Sequence, residues 1–350
     1  MSTTTVTDTT PAAPAPSGQP DIAYAPDYQK WQARAAWRLA SDTLPTTVPQ
    51  GFPGQLSGDL VWEGDKLAET YTLGLSLGHL APETFPLPAL DAELRRLSRE
   101  LHTGHGFFVL RGLRVDDYSR EENAIIYAGV SSHIAPQRGR QDHKLDGQPA
   151  DVVLTHIKDL RGDKIAAGGA IGSPAYTTDK QVFHTDSGDI VSLFALEKAD
   201  KQWTERPLMF HSEATDSGPE RIALQYARRY FVGFGALPRS PDIPPISEAQ
   251  ADALDTLHFL GDKFCVKTDF QKGDMQYVNN LAVFHARNGF TDSPGKKRHL
   301  LRLWLRDPEN AWETPEVLRP RWAQLYDGIT PESQVFPLEP YIRSAGNRGR

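Results

Sequence analysis

Cysteine occurs once in 350 residues, at Cys265. That excludes an intrachain disulfide framework and any metal site built from several thiolates, and it fits a reducing compartment. No apolar run comes near the roughly 20 residues needed to cross a bilayer, so no membrane partner is expected. Basic charge is not in excess either: 38 Lys and Arg stand against 45 Asp and Glu, net −7. Without a dense basic patch to neutralise a run of phosphates, nucleic acid is not an expected partner. The first residues lack the basic start and apolar stretch of a secretory signal. They also lack Arg and include Asp8, which argues against an organelle transit peptide, and a cytoplasmic protein is the expectation. What is present, 39% hydrophobic and 24% charged residues, is ordinary for a globular chain.

The organisation reads as one domain behind a tail. Residues 1–21 are rich in Ser, Thr, Pro and Ala, cannot bury enough apolar surface to offset the entropy of ordering the backbone, and are expected to be disordered. Residues 22–350 are expected to form a single domain. From Ile22 to about Tyr71, aromatics such as Tyr24, Trp31, Trp37 and Trp62 are scattered among prolines and glycines without a period, which predicts an irregular wrapping segment. Leu90, Leu94, Leu97 and Leu101 then place four leucines on one helical face, with Gly104 as a stop. Phe107–Leu110 reads as a short apolar strand, and Ser119 with Glu122 as a capping box opening a helix through Val130. A strand is expected over Val152–Ile157, and a helix opened by Ser247 and Gln250 and ended by Gly261. From Phe264 to Asp307 the patterning is β-type. Helices early and strands late predict an α+β fold.

Among 11 histidines, the segment Gln181-Val-Phe-His184-Thr-Asp186-Ser-Gly stands out. Residues two apart on a strand point to the same face, so His184 and Asp186 are able to hold one cation together. A second segment runs from Asp269 through Asn279-Asn280 and His285-Ala-Arg287 to Phe290, and is followed by Arg298-His-Leu-Leu-Arg302-Leu-Trp-Leu-Arg306. Two imidazoles and one carboxylate can occupy one face of an octahedral ferrous ion and leave three exchangeable positions. Alternation along the last segment puts Arg298, Leu300, Arg302, Trp304 and Arg306 on one face and His299, Leu301, Leu303 and Leu305 on the other. His156, Tyr176 and Thr178 are weaker pocket candidates. His211 reads as a satisfied or exposed histidine, His258 as a packing residue and Cys265 as a small buried core residue.

Taken together, these stretches resemble the Fe(II)- and 2-oxoglutarate-dependent dioxygenases of the taurine dioxygenase (TauD/TfdA) family, with the clavaminate-synthase-like members the nearest match, from about Leu60 to Asp307. The resemblance implies a double-stranded β-helix, or jelly roll, with flanking helices. It implies His184, Asp186 and His285 as iron ligands and catalytic centre, with 2-oxoglutarate as cosubstrate and O2 as oxidant. Arg298 matches the arginine that takes the far carboxylate of 2-oxoglutarate, a bidentate task suited to a guanidinium. Arg302 matches the arginine that reaches the anionic group of the primary substrate, which implies a small amino or carboxylic acid. The implied reaction decarboxylates 2-oxoglutarate to succinate and oxidises a C–H bond, with hydroxylation, desaturation and ring closure all open.

One region departs from the family pattern. Members carry a small-residue segment and helices between His-x-Asp and the strand beginning Arg-Pro-Leu, whereas here Phe194 runs through Trp203 almost directly into Arg206-Pro-Leu. This unusually short centre keeps a second reading open: a catalytically impaired member that binds a small acid or metal. A zinc hydrolase on the same three ligands is a further rival that leaves the arginine-rich strand unexplained.

Overall fold

The computed structural model describes residues 18–34, 61–63, 76–161, 174–194, 208–214, 219–234, 239, 243–292 and 297–343. The expected tail falls almost wholly outside these residues, as does most of the short centre, 195–207. In chain order the described elements are α1 (Tyr28–Ala33), β1 (Val61–Glu63), α2 (Asp91–Thr103), β2 (Phe107–Arg111), α3 (Arg120–Ile134), β3 (Gln137–Arg138), β4 (Asp142–Leu145), β5 (Gln148–Val152), β6 (Leu154–Lys158), β7 (Gln181–His184), β8 (Ile190–Phe194), β9 (Met209–Ser212), β10 (Arg221–Leu224), α4 (Arg229–Val232), α5 (Glu248–Phe264), β11 (Met275–Asn279), β12 (His285–Arg287), β13 (His299–Arg306), α6 (Arg319–Tyr326) and β14 (Gln334–Val335). The class is α+β, as the sequence predicts.

The larger sheet runs β1-β2-β11-β8-β13, and the far edge of the long β13 carries both β6 and β3. Its outer face is covered by α2 and α3. α2 ends at Gly104 and buries Leu94, Leu97 and Leu101, each at most 2% exposed, and each such leucine contributes about 1.5–3 kcal/mol through removal from water. α3 begins at the expected capping box, Ser119 accepting from the Glu122 main chain and Glu122 accepting in return. Both helices pack on Phe108, Ile190, Tyr277, Leu301, Leu303 and Leu305 in one core. The opposite layer of the jelly roll consists of the β7–β12 pair and the β9–β10 hairpin. They are joined where His184 bridges Ala227 and the Thr185 N–H donates to Tyr226 O at 2.7 Å.

Three expectations are corrected. The strand predicted over Val152–Ile157 is interrupted at Val153, whose N–H donates to Val335 O and whose carbonyl accepts from the Gln141 side chain. β5 therefore pairs with β14 in one sheet while β6 pairs with β13 in another. The helix opened by Ser247 continues past Gly261 to Phe264. Gly261 is a packing site, since a Cβ there would lie 2.6 Å from the Phe183 ring on β7. Cys265 is half-buried just beyond that helix, with its thiol 3.6 Å from Asp262 O, and is not a core residue. The wrapping segment also contains two described elements that its lack of period hid, α1, capped by Asp27 accepting from Lys30 N, and β1, which pairs in parallel with β2.

Candidate active site

His184 ends β7, Asp186 lies two residues on in the following loop, and His285 begins β12, directly opposite His184 in the ladder. One ligand atom from each of the three lies within 4.8 Å of the others, and the two imidazole centres are 4.2 Å apart. His184 Nδ1 donates to Val182 O at 2.9 Å. That bond fixes the tautomer and leaves Nε2 as the lone-pair atom, with the Gln181 amide nitrogen 2.9 Å away from it. Nδ1 of His285 is buried without a hydrogen-bond partner among the described residues.

Electrostatics sort these groups into the protonation states a cation requires. Burial pushes His184 down, and it pushes His285 down to about 3 with the neighbouring His184 adding to the effect. Burial alone would raise the Asp186 carboxyl, but Arg302, then His285, His184 and Arg343, outweigh it and hold the group well below the usual carboxylate range. The cluster therefore presents two neutral imidazoles and one carboxylate at neutral pH, the donor set of a divalent metal.

Asp186 is held on both its main-chain and side-chain groups. Its N–H donates to Asn280 Oδ1 at 2.7 Å, while Asn280 Nδ2 donates to the carbonyls of Asp186 and Gly188. Arg302 donates to Asp186 Oδ2 at 2.7 Å and the Trp304 indole at 3.4 Å. Arg302 is itself clamped by Gln141, whose side-chain oxygen accepts from Arg302 Nε and whose amide donates to Arg302 O. Arg302 and Trp304 thus project from β13 on the face predicted by alternation, whereas Leu301, Leu303 and Leu305 enter the helix-side core.

Arg298 stands one residue before β13. It forms no hydrogen bond or ion pair with His184, Asp186 or His285 among the described residues. Its guanidinium lies 5.4 Å from the centre of the Phe290 ring, on which Arg287 also rests at 4.8 Å. Burial, reinforced by Arg287, pushes Arg298 down to about 9, and one terminal nitrogen is buried without a partner. Arg287, the third residue of the His-Ala-Arg run, donates to the carbonyls of Thr177 and Asp179 and so ties the loop before β7 to β12.

The weaker candidates fall elsewhere. His156 is buried against His299 and donates to Pro337 O at 2.7 Å. Tyr176 accepts from the Arg343 main chain, and Thr178 accepts from Arg161. His211 pairs with Glu220 on an exposed hairpin, and the His258 ring packs at a tilt against Phe183. The residues that sequence reasoning left without a role are Gln141, Gln181, Asn280, Trp304 and Arg343. Gln181, Asn280 and Trp304 stood inside the motifs, whereas Gln141 and Arg343 carried no signal.

The model of the taurine catabolism dioxygenase TauD, TfdA family matches residues 73–202 and 197–304. The chain is 33% identical over 314 residues to the taurine hydroxylase-like protein SAT17 of Stachybotrys chartarum, covering 76% of this chain and 78% of that one. It is 24% identical over 295 residues to FR-33289 synthase of Streptomyces rubellomurinus, with 71% and 83% covered. Among solved structures, an asparagine oxygenase bound to Fe(II), 2S,3S-3-hydroxyasparagine and succinate aligns with 18% identity and a TM-score of 0.38 over 65% of this chain and 84% of that one. A variant of the non-heme iron oxygenase OrfP with (3S)-hydroxy-L-Arg aligns with 15% identity and a TM-score of 0.42 over 79% and 99%. The chain belongs to the TauD/TfdA family, and is thereby an Fe(II)- and 2-oxoglutarate-dependent oxidoreductase of jelly-roll fold. Among the described residues, no helix is long and apolar enough to cross a membrane.

Proposed function

We propose that the protein oxidises a C–H bond of a small, carboxylate-bearing substrate, an amino or carboxylic acid, with iron held by His184, Asp186 and His285. The observation that carries this reading is the convergence of those three donors within 4.8 Å across two paired strands. Bound iron with 2-oxoglutarate and O2 supplies the oxidising power, 2-oxoglutarate leaving as succinate and carbon dioxide. The residues of this chain supply the rest. His184 and His285 stay neutral and Asp186 ionised, so the donors need not lose protons at neutral pH when the metal enters. Arg302 and Trp304 fix the carboxylate that Asp186 offers.

Arg298 is assigned to the far carboxylate of 2-oxoglutarate. A buried guanidinium with an unpartnered nitrogen, resting on an aromatic ring, is a ready site for a bidentate anion. Arg302 is assigned to the substrate side of the centre. It lies four residues beyond Arg298, on β13, and donates to Asp186, which puts it beside the metal cluster where the substrate's anionic group is proposed to bind. The test is anaerobic titration with Fe(II) and then 2-oxoglutarate, read by the weak visible charge-transfer band of a keto acid chelated to ferrous iron. A band that forms in the full chain and is lost at the same cosubstrate concentration in Arg298→Ala supports the assignment. A band that persists unchanged in Arg298→Ala removes Arg298 from the cosubstrate site.

One observation favours a second reading, a family member that binds iron or a small acid without turning over. The family match breaks at residues 197–202, just where the sequence is short. The alignments with both relatives also run over more positions, 314 and 295, than the 76% and 71% of 350 residues they draw from this chain. Both relatives therefore carry residues for which this chain has no counterpart. Succinate formation from 2-oxoglutarate by the iron-loaded protein separates the readings, and its absence alongside a normal charge-transfer band would favour the second.

A further inference from the structure

The last described residues cross the barrel as a strap. β14 pairs in parallel with β5, Gln334 opposite Asp151 and Val335 opposite Val152. Pro337 O accepts from His156, Phe336 and Leu338 pack against the helix-side core, and Ile342 packs with Ile157, Tyr176 and Leu300. The strap delivers Arg343, 4% exposed, whose main-chain N–H donates to the Tyr176 hydroxyl at 3.0 Å. Its guanidinium donates to Gln141 O at 2.7 Å and lies 5.1 Å from the centre of the Trp304 ring.

Gln141 and Trp304 also hold Arg302, through Gln141 Oε1 at 2.8 Å and the Trp304 ring at 4.9 Å. Arg302 and Trp304 in turn both donate to Asp186 Oδ2. A chain of contacts therefore leads from the strap to the carboxylate in two steps. Fixing an arginine side chain costs up to about 2 kcal/mol of rotamer entropy, and Arg343 is fixed by three contacts, its main chain on the Tyr176 hydroxyl and its guanidinium on Gln141 O and the Trp304 ring. Groups that orient a ligating carboxylate from behind set its geometry, and their loss typically lowers metal affinity about 10–100-fold.

We propose that Arg343 is a positioning residue of the metal site: seated on Trp304 and on the Gln141 main chain, it sets the angle at which Trp304 and Arg302 present their N–H groups to Asp186. The proposal rests on the assignment of Asp186 as a metal ligand and extends the site to the C-terminal strap, 202 residues in sequence from Gln141. Arg302 supplies the charge beside Asp186, and Arg343 supplies the stop against which the Trp304 ring is set.

The test uses Co(II) as probe, measured by equilibrium dialysis against the full chain and the variants Arg343→Met, Arg343→Lys, Arg302→Met and the double Met variant, with thermal melting alongside. Arg343→Met keeps the aliphatic stem on Trp304 and removes the fork. Expected are about tenfold weaker Co(II) binding in Arg343→Met, an intermediate value in Arg343→Lys, and a double variant whose loss is well short of the product of the single losses, because the two arginines act through one carboxylate. Unchanged Co(II) affinity in a folded Arg343→Met protein, even with a lower melting temperature, would overturn the proposal. So would losses that multiply. If the unsubstituted chain takes up no Co(II), the ligand assignment itself fails and this proposal falls with it.

Discussion

The two faces of β13 were built from neighbouring letters of the sequence and do opposite work. Leu301, Leu303 and Leu305 point outward into the cluster under α2 and α3, each at most 3% exposed. Arg302 and Trp304, interleaved with them, point inward, and Arg302 is just as buried at 3%. On the outer face burial is favourable by itself, and each residue needs only apolar neighbours of suitable shape. On the inner face burial is costly, and Arg302 is tolerated because Asp186 and Gln141 meet its guanidinium. The outer face is held by area, whereas on the inner face Arg302 depends on specific partners. A substitution should therefore damage one property of the molecule or the other.

The largest expected effect lies on the inner face. Asp186→Ala should abolish uptake of Fe(II) or Co(II), a loss beyond the 10–100-fold of an outer-shell change, while far-ultraviolet circular dichroism stays that of the parent. Persistence of full metal binding in that variant would dissolve the distinction between the faces. Next comes Leu303→Ala, which removes a fully buried side chain from the helix-side core and should cost about 2–5 kcal/mol of stability. Chemical denaturation reads that loss, and metal affinity measured well below the new midpoint should be unchanged. A Leu303→Ala protein that keeps its stability but loses its metal would reverse the comparison.

The same contrast explains what was legible. The outer face, α2, the capping boxes of α3 and α5 and the strand at Phe107 follow from period and capping, which are local and were readable. The clustering of His184, Asp186 and His285 was readable because the first two lie on one short segment and His285 on a second with a family signature. What stayed hidden was whatever joins distant chain. Gln141 meets Arg302 across 161 residues and Arg343 across 202, and no local pattern marks either. Val153 broke a strand that its own neighbours favoured because Val335 claimed its N–H. Gly261 reads as a helix stop in sequence and proves to be the space that Phe183 needs.

A dependence on pH sharpens the comparison further, because each face hides histidines that burial keeps neutral. On the outer face His156 and His299 stack with ring centres 5.4 Å apart, and burial pushes them down to about 4 and about 2. On the inner face His285 is pushed down to about 3. A histidine depressed below its ordinary 6.5 binds its proton more readily in the unfolded chain. Stability should therefore be fully present above about pH 6.5 and should fall as the pH drops from there towards 4, by up to about 1.4 kcal/mol per pH unit for each such histidine. Replacing His156 by Gln, which can still donate to Pro337 O, should remove one histidine's share of that slope and leave the rest. Adding Co(II) should steepen the dependence, since a metal on His285 and His184 competes with protons for the same lone pairs. A metal-free protein whose stability is flat between pH 6.5 and 4.5 would mean that these rings are open to water, and that neither face is as dry as its packing requires.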